Sequence, residues 1–137
     1  MSQVKIRQAL ESRLKAFADT KSLKVLWENV GVVPTGTHLR AFIYRAPTGD
    51  PSIGAKHKRY KGIFRVQVWS ETLGKGPLDA ETLAEEIVAY FPRALQITKD
   101  SIVVHIENTP SQGSISIETN WVCISVEMLY RCDTVTI

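Results

Sequence analysis

The sequence predicts an α+β fold: a mainly antiparallel, mixed β-sheet with two helices packed on it and a C-terminal β-hairpin. Three observations predict it. Residues 3–18 and about 78–91 carry apolar side chains at three- and four-residue spacing, the mark of a one-sided helix. Several other stretches alternate apolar and polar residues with a period of two, the mark of a strand with one face covered. The order is helix, strands, helix, hairpin, which groups strands together as α+β proteins do.

The first helix places Ile6, Leu10, Leu14 and Phe17 on one stripe and Lys5, Arg7, Glu11, Arg13 and Lys15 on the other side. A short strand is expected at 24–28. Val30 to Thr37 carries Gly31, Pro34 and Gly36, which is loop chemistry. His38–Ala46 reads as a strand with Leu39, Ala41 and Ile43 on one face and Phe42 and Tyr44 on the other. Apolar residues on both faces suit a central strand. Residues 47–61 show no periodicity, contain Pro47, Gly49, Pro51 and Gly54, and read as a flexible loop. Gly62–Glu71 alternates cleanly, with Phe64, Val66 and Val68 opposite Arg65, Gln67 and Trp69. The second helix runs from Leu78 to Phe91, with Ala80, Leu83, Ala84, Ile87, Val88 and Phe91 inward and Pro92 as its stop. Its early acids, Asp79 and Glu81, complement the helix dipole. Leu95–Ile97 reads as a short edge strand, and Ser101–Thr109 as a strand with Ile102, Val104 and Ile106 inward. After a turn at Pro110–Gly113, Ser114–Cys132 reads as one long strand that closes the hairpin. Its apolar phase shifts from odd (Ile115, Ile117) to even (Val122, Ile124, Val126, Met128), which a bulge or bend near Asn120 would explain.

The chain has 137 residues, 44% of them hydrophobic and 23% charged, and this is ordinary composition for one globular domain spanning 1–137. No apolar run approaches the length of a membrane helix, and no export signal is visible at Met1-Ser2-Gln3. The net charge of +3 is too mild to imply nucleic acid by itself. Its distribution is more telling: residues 1–61 carry +8 and residues 62–137 carry −5. Oppositely charged halves can associate head to tail, or can interleave in the fold and cancel. Cys123 and Cys132 fall nine positions apart in one strand, about 30 Å and on opposite faces, so they cannot pair with each other.

The search for catalytic chemistry returns little. No phosphate-binding glycine loop is present, and Gly74-Lys75-Gly76 matches neither standard spacing. No His-Glu-x-x-His or Cys-x-x-Cys occurs, so no metal is implied. His105 falls on the outer face of its strand. A Cys123 nucleophile would need His38 or His105 beside it. Glu85 and Glu86 diverge by about 100° on a helix and cannot act as an acid–base pair. No enzyme activity and no cofactor are expected.

The sharpest local feature is the basic run Lys56, His57, Lys58, Arg59, Tyr60, Lys61. A mobile basic loop can dock on an acidic partner, with Tyr60 as an apolar anchor, or it can simply be solvated. Trp69 shares a strand face with Arg65 and Gln67, which places an aromatic either under a helix edge or in an interface. Core packing is the expected role of two of the three tryptophans, Trp27, Trp69 and Trp121. The candidate interface residues are therefore Lys56, His57, Lys58, Arg59, Tyr60, Lys61 and Trp69.

Taken in order, these features resemble a known family. An N-terminal helix ends in Leu14 and Phe17. Pro34-Thr-Gly-Thr-His-Leu-Arg40 enters a strand closing at Ala46-Pro47-Thr48. Gly62-Ile-Phe-Arg-Val-Gln-Val68, an alanine-rich helix, Thr109-Pro110, Trp121 and Tyr130-Arg131 follow. The pattern, over roughly residues 3–132, is similar to the phage tail terminator-like proteins of siphophages and prophages. The resemblance implies a homo-oligomeric ring, a hexamer, that caps the tail tube, stops its polymerisation and prepares it for head joining. It implies contacts with the tail tube protein and a head-completion protein, no membrane and no cofactor. Assembly would occur in the host cytoplasm, with the protein then retained in the virion tail. Within the family plan the loop at 47–61 is the expected contact segment. Two other readings stay open: another head–tail connector or tail-completion protein, and a small nucleic-acid-binding module using the basic loop. The last is disfavoured because only Tyr60 interleaves the basic run.

Overall fold

A computed structural model of the protein describes residues 2–28, 36–50, 57–71, 78–118 and 120–135. The elements are α1 (Ser2–Thr20), β1 (Lys24–Leu26), β2 (His38–Arg45), β3 (His57–Glu71), α2 (Leu78–Tyr90), β4 (Gln96–Lys99), β5 (Ile102–Ile106), β6 (Ser111–Gln112), β7 (Ser116–Glu118) and β8 (Trp121–Val135). They form a single mixed sheet in the order β1-β2-β3-β8-β5-β4, with β6 and β7 also paired to β8. β1 runs parallel to β2, and every other pairing is antiparallel. This is the α+β architecture the sequence predicts.

The spine is the ladder between β3 and β8, which pairs His57 with Val135 at one end and Glu71 with Trp121 at the other. Alternation on these strands sorts the side chains. Phe64, Val66 and Val68 on β3 and Val122, Ile124, Val126, Met128, Tyr130 and Cys132 on β8 are buried beneath the helices. α2 lies on β3 and β8, at the centre, while α1 reaches strands on both sides, β1 and β2 as well as β4 and β5. Its 19 residues span about 28 Å, enough to cross the ~24 Å of six strands.

Side chains in each helix explain why it sits there. Ile6, Ala9, Leu10, Leu14, Phe17 and Ala18 of α1 are all buried, as are Ala80, Ala84 and Ile87 of α2 with Phe91 just beyond it. The ring of Phe91 meets Phe64 at 6.0 Å. Arg13 ties the helices together: its guanidinium donates to the Tyr90 carbonyl at 2.7 and 3.1 Å and lies 4.3 Å over the Tyr90 ring. α2 has no basic residue in its own last turn, so the partner helix supplies the cation that C-terminal carbonyls favour. α1 ends in a Schellman motif, with Leu23 N–H donating to Ala18 C=O and Ser22 N–H to Asp19 C=O. Ser22 takes the left-handed conformation there, φ 56°.

Three readings of the sequence need correction. The basic segment is not all loop. β3 begins at His57, so His57–Lys61 belong to a strand, paired with Arg131–Val135. Gly49 bridges back to Arg59, which draws residues near Gly49 alongside it. Lys56 lies outside the described residues. The bulge or bend expected near Asn120 within one long strand is a full chain reversal. β7 folds back on β8, with Glu118 opposite Trp121 and Ile117 opposite Val122, and Asn120 has φ 66°. A reversal shifts side-chain parity just as a bulge does, so the phase change alone could not separate them. β5 and β8 are antiparallel as expected, but β6 and β7 intervene and pair along β8 rather than forming a simple turn and strand.

Candidate interaction face

Among the described residues, no helix covers the other face of the sheet. Its composition follows from the same alternation: His57, Arg59, Lys61, Ile63, Arg65, Gln67 and Trp69 on β3, opposite Asp133, Arg131, Leu129, Glu127, Ser125 and Cys123 on β8. β2 adds His38, Arg40, Phe42 and Tyr44. Three zones result.

At one end sits an aromatic cluster. His38 is fully buried, with its ring stacked on Trp69 at 6.4 Å and edge-on to Trp121 at 5.5 Å. Arg40 Nε donates to His38 Nε2 at 3.1 Å, so the ring proton is on Nδ1, which donates to Gly36 C=O at 2.9 Å. The Arg40 guanidinium also lies 4.0 Å over Trp69. Burial, with the Arg40 charge adding to it, holds the His38 pKa below its usual value. Trp69 separates His38 from Cys123 in the register, putting them two strand spacings, about 10 Å, apart. Burial also pushes the Cys123 thiol up. These two residues form no nucleophile–base pair.

At the other end is a charged cluster. The Asp133 carboxylate accepts from Arg59 Nε at 2.8 Å and His57 Nε2 at 3.1 Å, with Arg131 Nε 3.3 Å away. Burial alone would raise its pKa, but these hydrogen bonds and the Arg59 and Arg131 charges outweigh that, and the carboxyl titrates below its usual range. Lys61 pairs with Glu107 at 3.8 Å.

Between them lies an apolar row. Tyr44 pairs with Ile63, and Ile63 with Leu129, across three adjacent strands. Tyr44 is 46% and Leu129 45% exposed. The row borders a concavity of about 390 Å³, also lined by Arg45, Ala46, Lys61, Gly62 and Glu107. Gly62 is required here: a Cβ would stand 2.5 Å from both the Tyr44 carbonyl and the Tyr130 hydroxyl. Arg65 braces the row, with Nη2 2.6 Å from Glu127 and its guanidinium 4.8 Å over the Tyr44 ring.

The sequence-predicted interface residues thus divide. His57, Arg59, Lys61 and Trp69 lie on the open face. Lys58 and Tyr60 point the other way: Lys58 is exposed, and Tyr60 packs against the core instead of standing free as a loop anchor. Of the tryptophans, Trp27 packs against the core, while Trp121 joins Trp69 on the open side, so one rather than two serves the core. Sequence reasoning missed Tyr44, Ile63 and Leu129. The available signal was an apolar residue in the polar phase of a strand, Ile63 between Lys61 and Arg65 and Leu129 between Glu127 and Arg131. No helix among the described residues is long and apolar enough to cross a membrane.

An α+β module with an apolar row framed by charge presents a face suited to another protein. The comparisons specify its class as a structural protein of phage tails. The family model for "Phage tail terminator protein" matches residues 5–130, and the chain belongs to that family. Membership assigns a role in tail completion and a place in the virion tail. Among solved structures, one 31% identical chain matches over 96% of both chains with a TM-score of 0.81. None of the curated proteins matches the chain.

Proposed function

We propose that this protein caps the growing tail tube, stops its polymerisation and prepares the tube end for head joining. It works as a homo-oligomeric ring, a hexamer, seated on the tail tube protein and later meeting a head-completion protein. It assembles in the host cytoplasm. The family match over residues 5–130 carries this reading. The exposed apolar row supports it, because water-exposed Tyr44 and Leu129 on a rigid sheet gain from being covered. The role requires no cofactor and no catalytic group.

The nucleic-acid reading loses support from the ion pairs. Arg59 is held by Asp133 and Lys61 by Glu107, so the described part of the basic segment presents less free positive charge than its sequence implies. The direct test is tail length, measured by negative-stain electron microscopy in lysates of the source phage with this gene deleted. Overlong, headless tails are expected. Tails of normal length beside free heads would assign the protein to head–tail connection instead.

A further inference from the structure

Among the described residues, the exposed large hydrophobics are Val4, Tyr44, Ile115, Ile117 and Leu129. Apart from Val4 they fall into two groups. Tyr44 and Leu129 flank the concavity on the open face. Ile115 and Ile117 belong to the β7 hairpin, where Ile117 is 73% exposed. Ile117 pairs with Val122, whose side chain faces the helices, so the hairpin group projects on the helix side of the sheet. Val122 and Leu129 lie seven positions apart on β8, about 23 Å. One copy cannot bring the groups together, because both are fixed to the same strand on opposite faces.

The two sides also differ in charge. On the helix side, α2 carries Asp79, Glu81, Glu85 and Glu86 with no lysine or arginine, beside α1, which carries Lys5, Arg7, Arg13 and Lys15 against Glu11 and Asp19. Glu86 is paired with Lys21, whereas the exposed Glu118 at the hairpin tip pairs with Trp121 and lies toward the open face. α2 packs on β3 and β8, with Phe91 just beyond its end against Phe64. The concavity is bordered by Arg45 and by Lys61 with Glu107, and beyond them Arg59 and Arg131 share Asp133, so four cations meet two carboxylates and the rim stays net positive.

We propose that Ile115 and Ile117 of one copy seat in the Tyr44–Ile63–Leu129 concavity of the next, with the acidic α2 side facing the basic rim. This rests on the ring reading above and names the surfaces that would build it. Knob and hole lie on opposite faces, so the contact is heterologous, front to back, and repeats around a ring if the rotation closes.

The test is disulfide trapping on assembled tails. Ile117→Cys and Leu129→Cys are combined in one chain, and tails are oxidised and run without reductant. A reducible ladder of oligomers is expected from the double variant and none from either single variant; the native Cys123 and Cys132 are buried. As a second measurement, Ile117→Asp should keep the wild-type melting temperature yet fail to restore normal tail length in the deletion strain. A cross-link from Ile117→Cys alone would overturn the proposal by indicating a two-fold contact. Absence of the ladder on tails that carry the protein and have normal length would overturn this interface and leave the terminator reading intact. Normal tails in the uncomplemented deletion strain would overturn both.

Discussion

The two faces of β3 and β8 share one backbone and one hydrogen-bond ladder, yet they differ in almost everything else. On the helix side Phe64, Val66, Val126 and Met128 are sealed from water. On the other, Ile63 and Leu129 sit one residue away in a field of arginine, lysine and carboxylates. The first face stabilises the monomer. The second gives up burial within the monomer, and its ion pairs, half-exposed and screened, add little stability there. Its residues are better explained by what they meet on assembly.

The buried face is the more vulnerable of the two. Val66→Asp should unfold the domain, at a cost of about 4 kcal/mol or more, because an unpaired carboxylate would be buried; insoluble expression and loss of the near-ultraviolet circular dichroism signal would register it. The adjacent Arg65→Ala should leave the fold intact. Gly62→Ala comes next. Its Cβ would collide with a backbone carbonyl, which cannot swing away, so a loss of about 1–3 kcal/mol is expected in denaturant melts.

Acid provides a third test. His38 is buried neutral, while the unfolded chain binds a proton near the ordinary value of 6.5. Stability is therefore full above about pH 6.5 and falls as pH drops toward the depressed folded pKa, since the unfolded state takes up the proton first. The groups around His38 are Arg40, Glu71, Trp69 and Trp121. Melting temperature should drop between pH 7.5 and 5.5, and His38→Gln should flatten that slope. Asp133 adds its own loss only below about pH 3.8, where its unfolded form protonates.

At the mild end, Lys58→Glu should leave stability unchanged, whereas Arg59→Glu should lower it, because Arg59 donates to Asp133 and a second carboxylate would repel it. In the opposite direction, Ser22→Gly should stabilise by about 1 kcal/mol by relieving a left-handed serine at the end of α1.

Periodicity made the core legible. The stripe from Ile6 to Phe17, the stripe from Ala80 to Phe91 and the alternation of Phe64, Val66 and Val68 each assign a buried face correctly, because burial selects side-chain chemistry directly. The start of β3 was hidden for a physical reason. Tyr60 still packs against the core, but at the next inward position, Lys58, the strand is exposed and no apolar side chain is needed, so the phase rests on Tyr60 alone. The hairpin at Asn120 was hidden because parity does not report chain direction. For the interaction face, charge pointed to His57, Arg59 and Lys61, but single apolar residues in a polar phase look like noise until the register aligns Tyr44, Ile63 and Leu129 in one row.

The most direct test of the division between a folding face and an assembly face is hydroxyl-radical footprinting of this chain, free and on purified tails. The account predicts that Tyr44, Leu129 and Ile117 become protected on tails, while Lys15 and Ser12 on the outer side of α1 stay as reactive as in the free chain. Protection of that α1 surface with Tyr44 and Leu129 still fully reactive would contradict it.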